Sequence, residues 1–367
     1  MSVKSPHAIV AGSAMIDVIA VIAEENIERV TRRQGEAAIL QIEQGRKIPA
    51  ESIDSHVGGG ACNVATSLAR RGWRVTPFCR TGADLNAEAI RAHFEREGVD
   101  QSLMMTAPEE GTGVSVMIAA YDRNAAIFVH RGANEGVRAE DVAQAAFGQP
   151  ALFYVAPLSS SSADQFGPLL AAGKAAGAFT AANPGIRQLS SRTDGFFQAL
   201  DRLDLLSLNA VEAAALVPAL IARGASECGS GRAAPLPQNA PELLRRGLHS
   251  GGCDLGLRDF FEAVQGFGPR WVLITDGAAG AYLNGPEGMI FCPPAPAEVA
   301  GTAGAGDAYC STLASTLATG GGQAEALVAA AVNAASVVSR VNTTDGLLHA
   351  SALAERVAVA ALEPTIL

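Results

Sequence analysis

Asp307 stands behind Gly301, Gly304 and Gly306, and ahead of Tyr309, Leu313 and Leu317, whose spacing predicts a helix that begins near Asp307 and ends before Gly320. A glycine loop entering a helix leaves backbone N–H groups unpaired and makes an anion site. An Asp near a helix start also serves as an N-cap, and the residues alone leave both readings open. Capping by itself does not require three glycines. A second cluster, "HVGGGACNVATSLARRG" at 56–72, sets Gly58, Gly59 and Gly60 before another apolar helix with Asn63 in its first turn, where a side-chain amide can face a ligand over the loop. A structural turn explains the same glycines equally well.

Two further stretches end buried strands on polar residues. In "LDLLSLNAVEAAAL" (203–216) Asn209 and Glu212 are three apart, a spacing that suits either a hydrated magnesium and a phosphate or a reciprocal N-cap and N3 pair. In "WVLITDGAAGAYL" (271–283) a β-branched run closes on Thr275, Asp276 and Gly277, and Gly280 opens the next strand; by itself this is a hairpin. No GxGxxG follows the first strand, since Asn63 takes the last glycine position at 58–63, and no GxxxxGK[ST] loop occurs.

These residues need elements to hold them, and the chain supplies an alternation. Short apolar runs ("AIVAGSA", "RVTPFCR", "ALFYVA", "GAFTAAN", "LDLLSLN", "RWVLITDG") interleave with Ala/Leu-rich helical stretches, which predicts a mostly parallel sheet with helices on both faces and ligands at the strands' carboxyl ends. Residues 24–57 break the rhythm and read as a small β appendage, a lid, on a main domain of 1–23 and 58–367. Residues 223–256, rich in Gly, Ser, Pro and Ala, read as a surface insertion with at most one short helix.

The 367 residues, 49% hydrophobic, are enough for one large α/β domain with a small appendage. A net charge of -10 without a Lys/Arg cluster argues against a nucleic-acid surface. The six cysteines are scattered without a CxxC pair, so free thiols in a reducing cytoplasm are expected rather than zinc or disulfides. Asp17 interrupts the N-terminal apolar run, which reads as strand rather than signal peptide, and no charge-free run reaches membrane length.

Taken together, the clusters at 58–63 and 304–307, with the NxxE at 209–212 and TxG at 275–277 between them, resemble the PfkB or ribokinase-like family of carbohydrate and nucleoside kinases. The resemblance runs from Gly12 to the helix around Asn333. It implies a three-layer α/β domain with a small β lid that often dimerises, and ATP- and magnesium-dependent phosphorylation of an alcohol. It implies that Asp307 is the general base and that Gly304, Ala305, Gly306 and Asp307 build the anion hole. Asn209 and Glu212 would position magnesium, through water, and the phosphates; Thr275, Gly277, Gly280 and Asn333 would line the ATP site. Asp17, Gly58, Gly59 and Asn63 would hold substrate hydroxyls. A small-molecule sugar, polyol or nucleoside is the expected substrate, in a cytoplasmic homodimer without nucleic-acid or membrane partners.

Two positions depart from the family. Its usual DTxGAGD has Gly301 in place of the first acid, which helps hold a monovalent cation in several members, so potassium activation is doubtful here. Ala156, Pro157 and Leu158 stand where several sugar kinases carry a glutamate. The main alternative is a catalytically inactive sugar- or nucleotide-binding protein on the same fold; a dinucleotide-dependent oxidoreductase lacks its glycine fingerprint. The helix N-terminus is expected to keep Asp307 ionised.

Overall fold

A computed structural model describes residues 5–22, 29–32, 35–38, 45, 47–119, 125–225 and 240–367, of which 29–32, 35–38, 119 and 125 are described by backbone alone. The main sheet has ten strands, in the spatial order Thr365–Ile366, Gly288–Cys292, Ala281–Gly285, Trp271–Thr275, Leu205–Asn209, Phe179–Ala182, Leu152–Val155, His7–Ala11, Arg74–Thr81 and Met104–Thr106. The seven from Trp271–Thr275 onward run parallel, and the other three form an antiparallel edge. Parallel strands buried on both faces need continuous apolar sequence, and Leu152, Phe153, Tyr154 and Val155 are all buried.

Their alternation serves two cores. Phe153 and Val155 join Phe166, Phe196 and Phe260 beneath one helical layer, while Leu152 and Tyr154 join Leu313 and Leu327 beneath the other. The result is the expected three-layer α/β architecture with a mostly parallel sheet. Burying these side chains contributes about 1.5–3 kcal/mol for each large apolar group, the main stabilising term. Among the described residues no helix is long and apolar enough to cross a membrane. The five described cysteines are free, four of them buried, while Cys228 lies outside the described residues.

The small sheet is not confined to residues 24–57. Its four strands are, in order, Ala50–Gly58, Met15–Ile22, Gly113–Ala119 and Ala125–His130. The physical reason is Gly12–Ala14, a break inside the N-terminal apolar run, which lets its second half leave the main sheet. Of residues 24–57, Arg29–Arg32 and Gly35–Ala38 make a separate hairpin, and several others lie outside the described residues.

The 223–256 stretch also needs correction. Residues 226–239 lie outside the described residues, but 240–256 carry a helix, Glu242–Arg246, and a hairpin, Leu248–Ser250 with Cys253–Leu255. Leu243, Leu244, Leu248 and Leu255 are buried in the core, and the Leu243 N–H donates to the Tyr282 hydroxyl at 3.2 Å. Four leucines in a Gly/Pro-rich run were enough to anchor it.

Candidate active site

The parallel strands end on one edge, where the polar residues collect. Strand His7–Ala11 leads into Gly12, and strand Leu152–Val155 into Ala156. A Cβ on Gly12 or Gly60 would lie 2.8 or 2.7 Å from the Ala156 Cβ, so small residues at all three positions let the 58–60 loop close against the sheet. Gly59 has φ of 90° and is the N-cap of helix Gly60–Arg70; a Cβ there would come 2.5 Å from the Ser13 carbonyl. A side chain on Gly58 would overlap the Asp17 carboxylate.

Asp17 is buried, on strand Met15–Ile22, and accepts a short hydrogen bond from the Ser115 hydroxyl. Burial raises its pKa, against the Ser115 bond and the charge of His56. The loop before it is gripped by Asn134, whose amide donates to the Ala14 carbonyl at 2.9 Å and accepts from the Ala14 N–H at 2.8 Å.

Helix Ala305–Ala318 settles the choice left open for Asp307. Its N-cap is Gly304, with φ of 80° and no side-chain cap, because a Cβ there would press on Thr343 at 2.8 Å. Asp307 is therefore not a cap. It lies in the first turn, and its Oδ2 accepts from Asn63 Nδ2 at 2.8 Å. Two glycine loops 244 residues apart thus meet side chain to side chain. The Asn63 amide is buried, and with its NH₂ group on Asp307 its oxygen has no partner. Among the described residues the N–H groups of Gly306 and Asp307 have no backbone acceptor, and that of Ala305 reaches only Thr302 O at 3.4 Å, so the helix start presents free donors.

Asp307 has its pKa pushed up to about 6, by burial first and then by the charges of Asp17 and Glu212, while the Asn63 bond opposes the rise. The helix N-terminus was expected to favour ionisation, and desolvation outweighs it. A carboxyl with pKa of about 6 is still roughly nine-tenths ionised at pH 7.

Asn209 and Glu212 form the reciprocal cap. The Glu212 N–H donates to Asn209 Oδ1 at 2.8 Å, and Glu212 Oε2 accepts from the Asn209 N–H at 2.9 Å and from Asn183 Nδ2 at 3.3 Å. Glu212 is nonetheless buried, with its pKa raised by desolvation, and lies close enough to raise Asp307. Thr275 pairs with Asn209 across the sheet, so the 275–280 turn shares this edge. It is the hairpin expected, with φ of 55° at Gly277 and 101° at Gly280, where a Cβ would meet the Cys292 carbonyl at 2.5 Å.

Asn333 does not join the group. It is fully buried, donating to Thr312 Oγ1 at 2.9 Å and accepting from the Leu348 N–H at 3.0 Å, so both ends of its amide hold helices and a loop together rather than line an ATP site. Gly301 donates its N–H to Val338 O at 3.1 Å, and a side chain there would stand 3.0 and 3.1 Å from the carbonyls of Arg340 and Val341. Sequence reasoning missed Ser115, Asn134 and Asn183. Only Asn183 carried a signal: it ends "GAFTAAN" as Asn209 ends "LDLLSLN".

The profile of pfkB family carbohydrate kinases matches residues 8–236 and 253–350. Over 320 residues the chain is 23% identical to a bifunctional ribokinase/ribose-5-phosphate isomerase A of Fructilactobacillus sanfranciscensis, covering 82% of this chain and 48% of that protein. The chain spans about half the length of that relative. It is 25% identical over 302 residues to an ATP-dependent ribose-1-phosphate kinase of Halopiger xanaduensis, covering 82% of this chain and 83% of that one. The structure of Burkholderia thailandensis nucleoside kinase in complex with inosine matches with a TM-score of 0.70 at 16% identity, over 96% of this chain and 98% of that chain. At such identity the structural likeness speaks for the ribokinase-like fold alone.

Proposed function

The chain belongs to the pfkB family of carbohydrate kinases, and on that premise we propose that it transfers the γ-phosphoryl group of ATP to a hydroxyl of a sugar, polyol or nucleoside, with Asp307 as general base. The observation that carries this reading is the contact between Asn63 and Asp307 at 2.8 Å, with the buried Asn63 oxygen left unpartnered. An unsatisfied buried acceptor costs about 1–3 kcal/mol and calls for a donor, which a substrate hydroxyl supplies. Such a hydroxyl would sit beside the Asp307 carboxylate and before the free N–H groups of Gly306 and Asp307.

Asp307 takes the proton as the acceptor oxygen bonds to the γ-phosphorus and the bond to the ADP oxygen breaks. Phosphoryl transfer asks mainly for positioning and charge stabilisation, and the Gly304–Asp307 turn offers fixed donors in a site walled by the sheet. Asp17, with Gly58 and Gly59 beside it, holds further substrate hydroxyls. Thr275, Gly277 and Gly280 flank the nucleotide. Among the described residues no group of three or more His, Cys, Asp or Glu converges as a metal site. A magnesium ion would be held, through water, by Glu212 and Asn209 and would supply charge neutralisation for the phosphates. That fits a carboxylate whose burial disfavours its charge until a cation arrives. At Gly301 there is no carboxylate for a monovalent cation, and none is assigned a role.

We extend the reading to the small sheet as a lid over Asp17 and as the contact of a homodimer. The test is ADP release over pentoses, phosphosugars, polyols and nucleosides with magnesium. Asp307→Asn is expected to lower turnover by roughly 10² to 10⁴ while ATP still raises the melting temperature. Sugar binding without ADP release from any acceptor would replace the kinase by an inactive binding protein.

A further inference from the structure

The contact between Asn63 and Asp307 is the first rung of a ladder. Four residues further along each helix the Ser311 hydroxyl donates to the Ser67 hydroxyl at 2.8 Å, and after four more the Arg71 guanidinium donates to the Ser315 hydroxyl. Every rung joins residues 244 positions apart, so helices Gly60–Arg70 and Ala305–Ala318 lie side by side and run in the same direction. Residues four apart share a helix face, which makes the rungs one polar seam. Ser67, Ser311 and Ser315 are buried.

The last rung is the unusual one. Arg71 is the C-cap of its helix, and its fork also donates to the Thr312 carbonyl and the Thr316 hydroxyl, both at 3.3 Å. The two hydroxyls already donate within their own helix, Ser315 to Ser311 O at 2.7 Å and Thr316 to Thr312 O at 2.9 Å, so their oxygens are open to accept. The neighbouring Arg70 pairs with Glu97 at 2.6 Å. Arg71 makes no ion pair with a described residue, and burial lowers its pKa to about 10.

A cation desolvated without a counter-ion adds little stability, and an apolar side chain would fill the same space at less cost. What the fork supplies is position. A planar set of donors matches one arrangement of acceptors, and so fixes a register that apolar packing, being non-directional, leaves loose. A slip of one residue moves a helix by about 1.5 Å, enough to carry Asn63 out of reach of Asp307. We propose that Arg71 is a positioning residue which, with the Ser67 and Ser311 rung, sets the register of the two helices and thereby holds the Asp307 carboxylate on the Asn63 amide. This rests on the kinase reading, in which Asp307 takes the acceptor's proton, and adds to it a residue that acts only through another. Besides Asn63, Asp307 is faced by Asp17 and Glu212, whose charges raise its pKa, and by Cys62, Cys310 and Tyr154, which burial keeps neutral at pH 7.

The experiment measures kcat, the KM for ATP and the carboxyl titration of Asp307 in Arg71→Met, Arg71→Lys and Ser311→Ala, each with and without Asn63→Ala. The titration is followed by carbon-13 NMR, with Asp307→Asn to assign the signal. Arg71→Met is expected to lower kcat about 10- to 100-fold, to leave the KM for ATP within about twofold and to move the titration to higher pH. Its melting temperature is expected to hold, since Met keeps an apolar stem and removes the buried charge. Ser311→Ala, which alters no charge, is expected to act in the same direction with a smaller effect, and carries the comparison if Arg71→Met does not fold. Arg71→Lys is expected to recover part of the loss. In the Asn63→Ala background these variants are expected to change neither readout further, because the bond they support is gone. Loss of a distant charge would instead act equally in both backgrounds, and that result overturns the proposal. So does a kcat or a titration left unchanged by Arg71→Met and Ser311→Ala alike. A wild type that releases ADP from no acceptor overturns the kinase reading, and the titration then decides the ladder alone.

Discussion

Asp307 works against its own surroundings. Burial holds its carboxyl at about 6, above the ordinary 3.8, so the native state binds this proton more readily than the unfolded chain does. The sign follows: stability is lost as pH rises from about 4 through 6, and the cost of the buried charge is complete above that range. Asp307→Asn removes the charge and keeps the shape, so in thermal melts it is expected to be at least as stable as the wild type at pH 8, the difference closing towards pH 4. A variant clearly less stable at pH 8 would mean that the carboxylate is satisfied rather than strained. Catalysis reads the same group: kcat/KM is expected to fall tenfold per unit below about pH 6. Asn63→Ala deletes the one hydrogen bond that opposes the rise, so its acid limb is expected to move to higher pH whatever its effect on the plateau. A limb that stays in place would show that Asn63 does not govern Asp307.

At the scale of elements, apolar runs ending on glycine or asparagine were legible, because a parallel strand must be apolar throughout and must hand its chain to a loop at the ligand edge. The pairing of elements was not. The run "SAMIDVIAVIA" is apolar enough for a main-sheet strand buried on both faces as well as for a strand of a second sheet, so only the neighbours of Met15–Ile22 decide. Asn333 failed for a related reason, because an amide that crosslinks helices and one that lines a pocket look alike until the burial of the helix is known. The loop-to-helix joint at 304 is where sequence and geometry agree most closely. Gly304→Ala would need a side chain at φ of 80° and 2.8 Å from Thr343, so the helix start must shift. Expected are a loss of about 1–3 kcal/mol in denaturant unfolding and a fall in kcat well beyond it, because the free N–H groups move with the joint. Full activity in a destabilised variant would separate the glycine from the anion hole.

For the whole molecule, the small sheet poses the remaining question, since with Asp17 on one of its faces the other face is left to be accounted for. The pairing register answers which residues share that face: Ala20 lies opposite Ile53, Val18 opposite Val116, and Val116 opposite Phe128. Alternate residues of a strand point the same way, so Ile53, Val116 and Phe128 stand together, away from Asp17. Ile53 and Phe128 are 66% and 59% exposed, an apolar cluster that a monomer would leave in water. Burial against the same face of a second copy is the economical arrangement, because a twofold interface needs one complementary patch rather than two. Light scattering is therefore expected to give twice the chain mass, and Phe128→Lys, which puts a charge into the patch without touching Asp17 or Asp307, is expected to give monomers. If the lid must be braced by its partner to close, the monomer will also show a raised KM for the acceptor. A wild type that stays monomeric at tens of micromolar would leave the lid without its partner and the dimer without its basis.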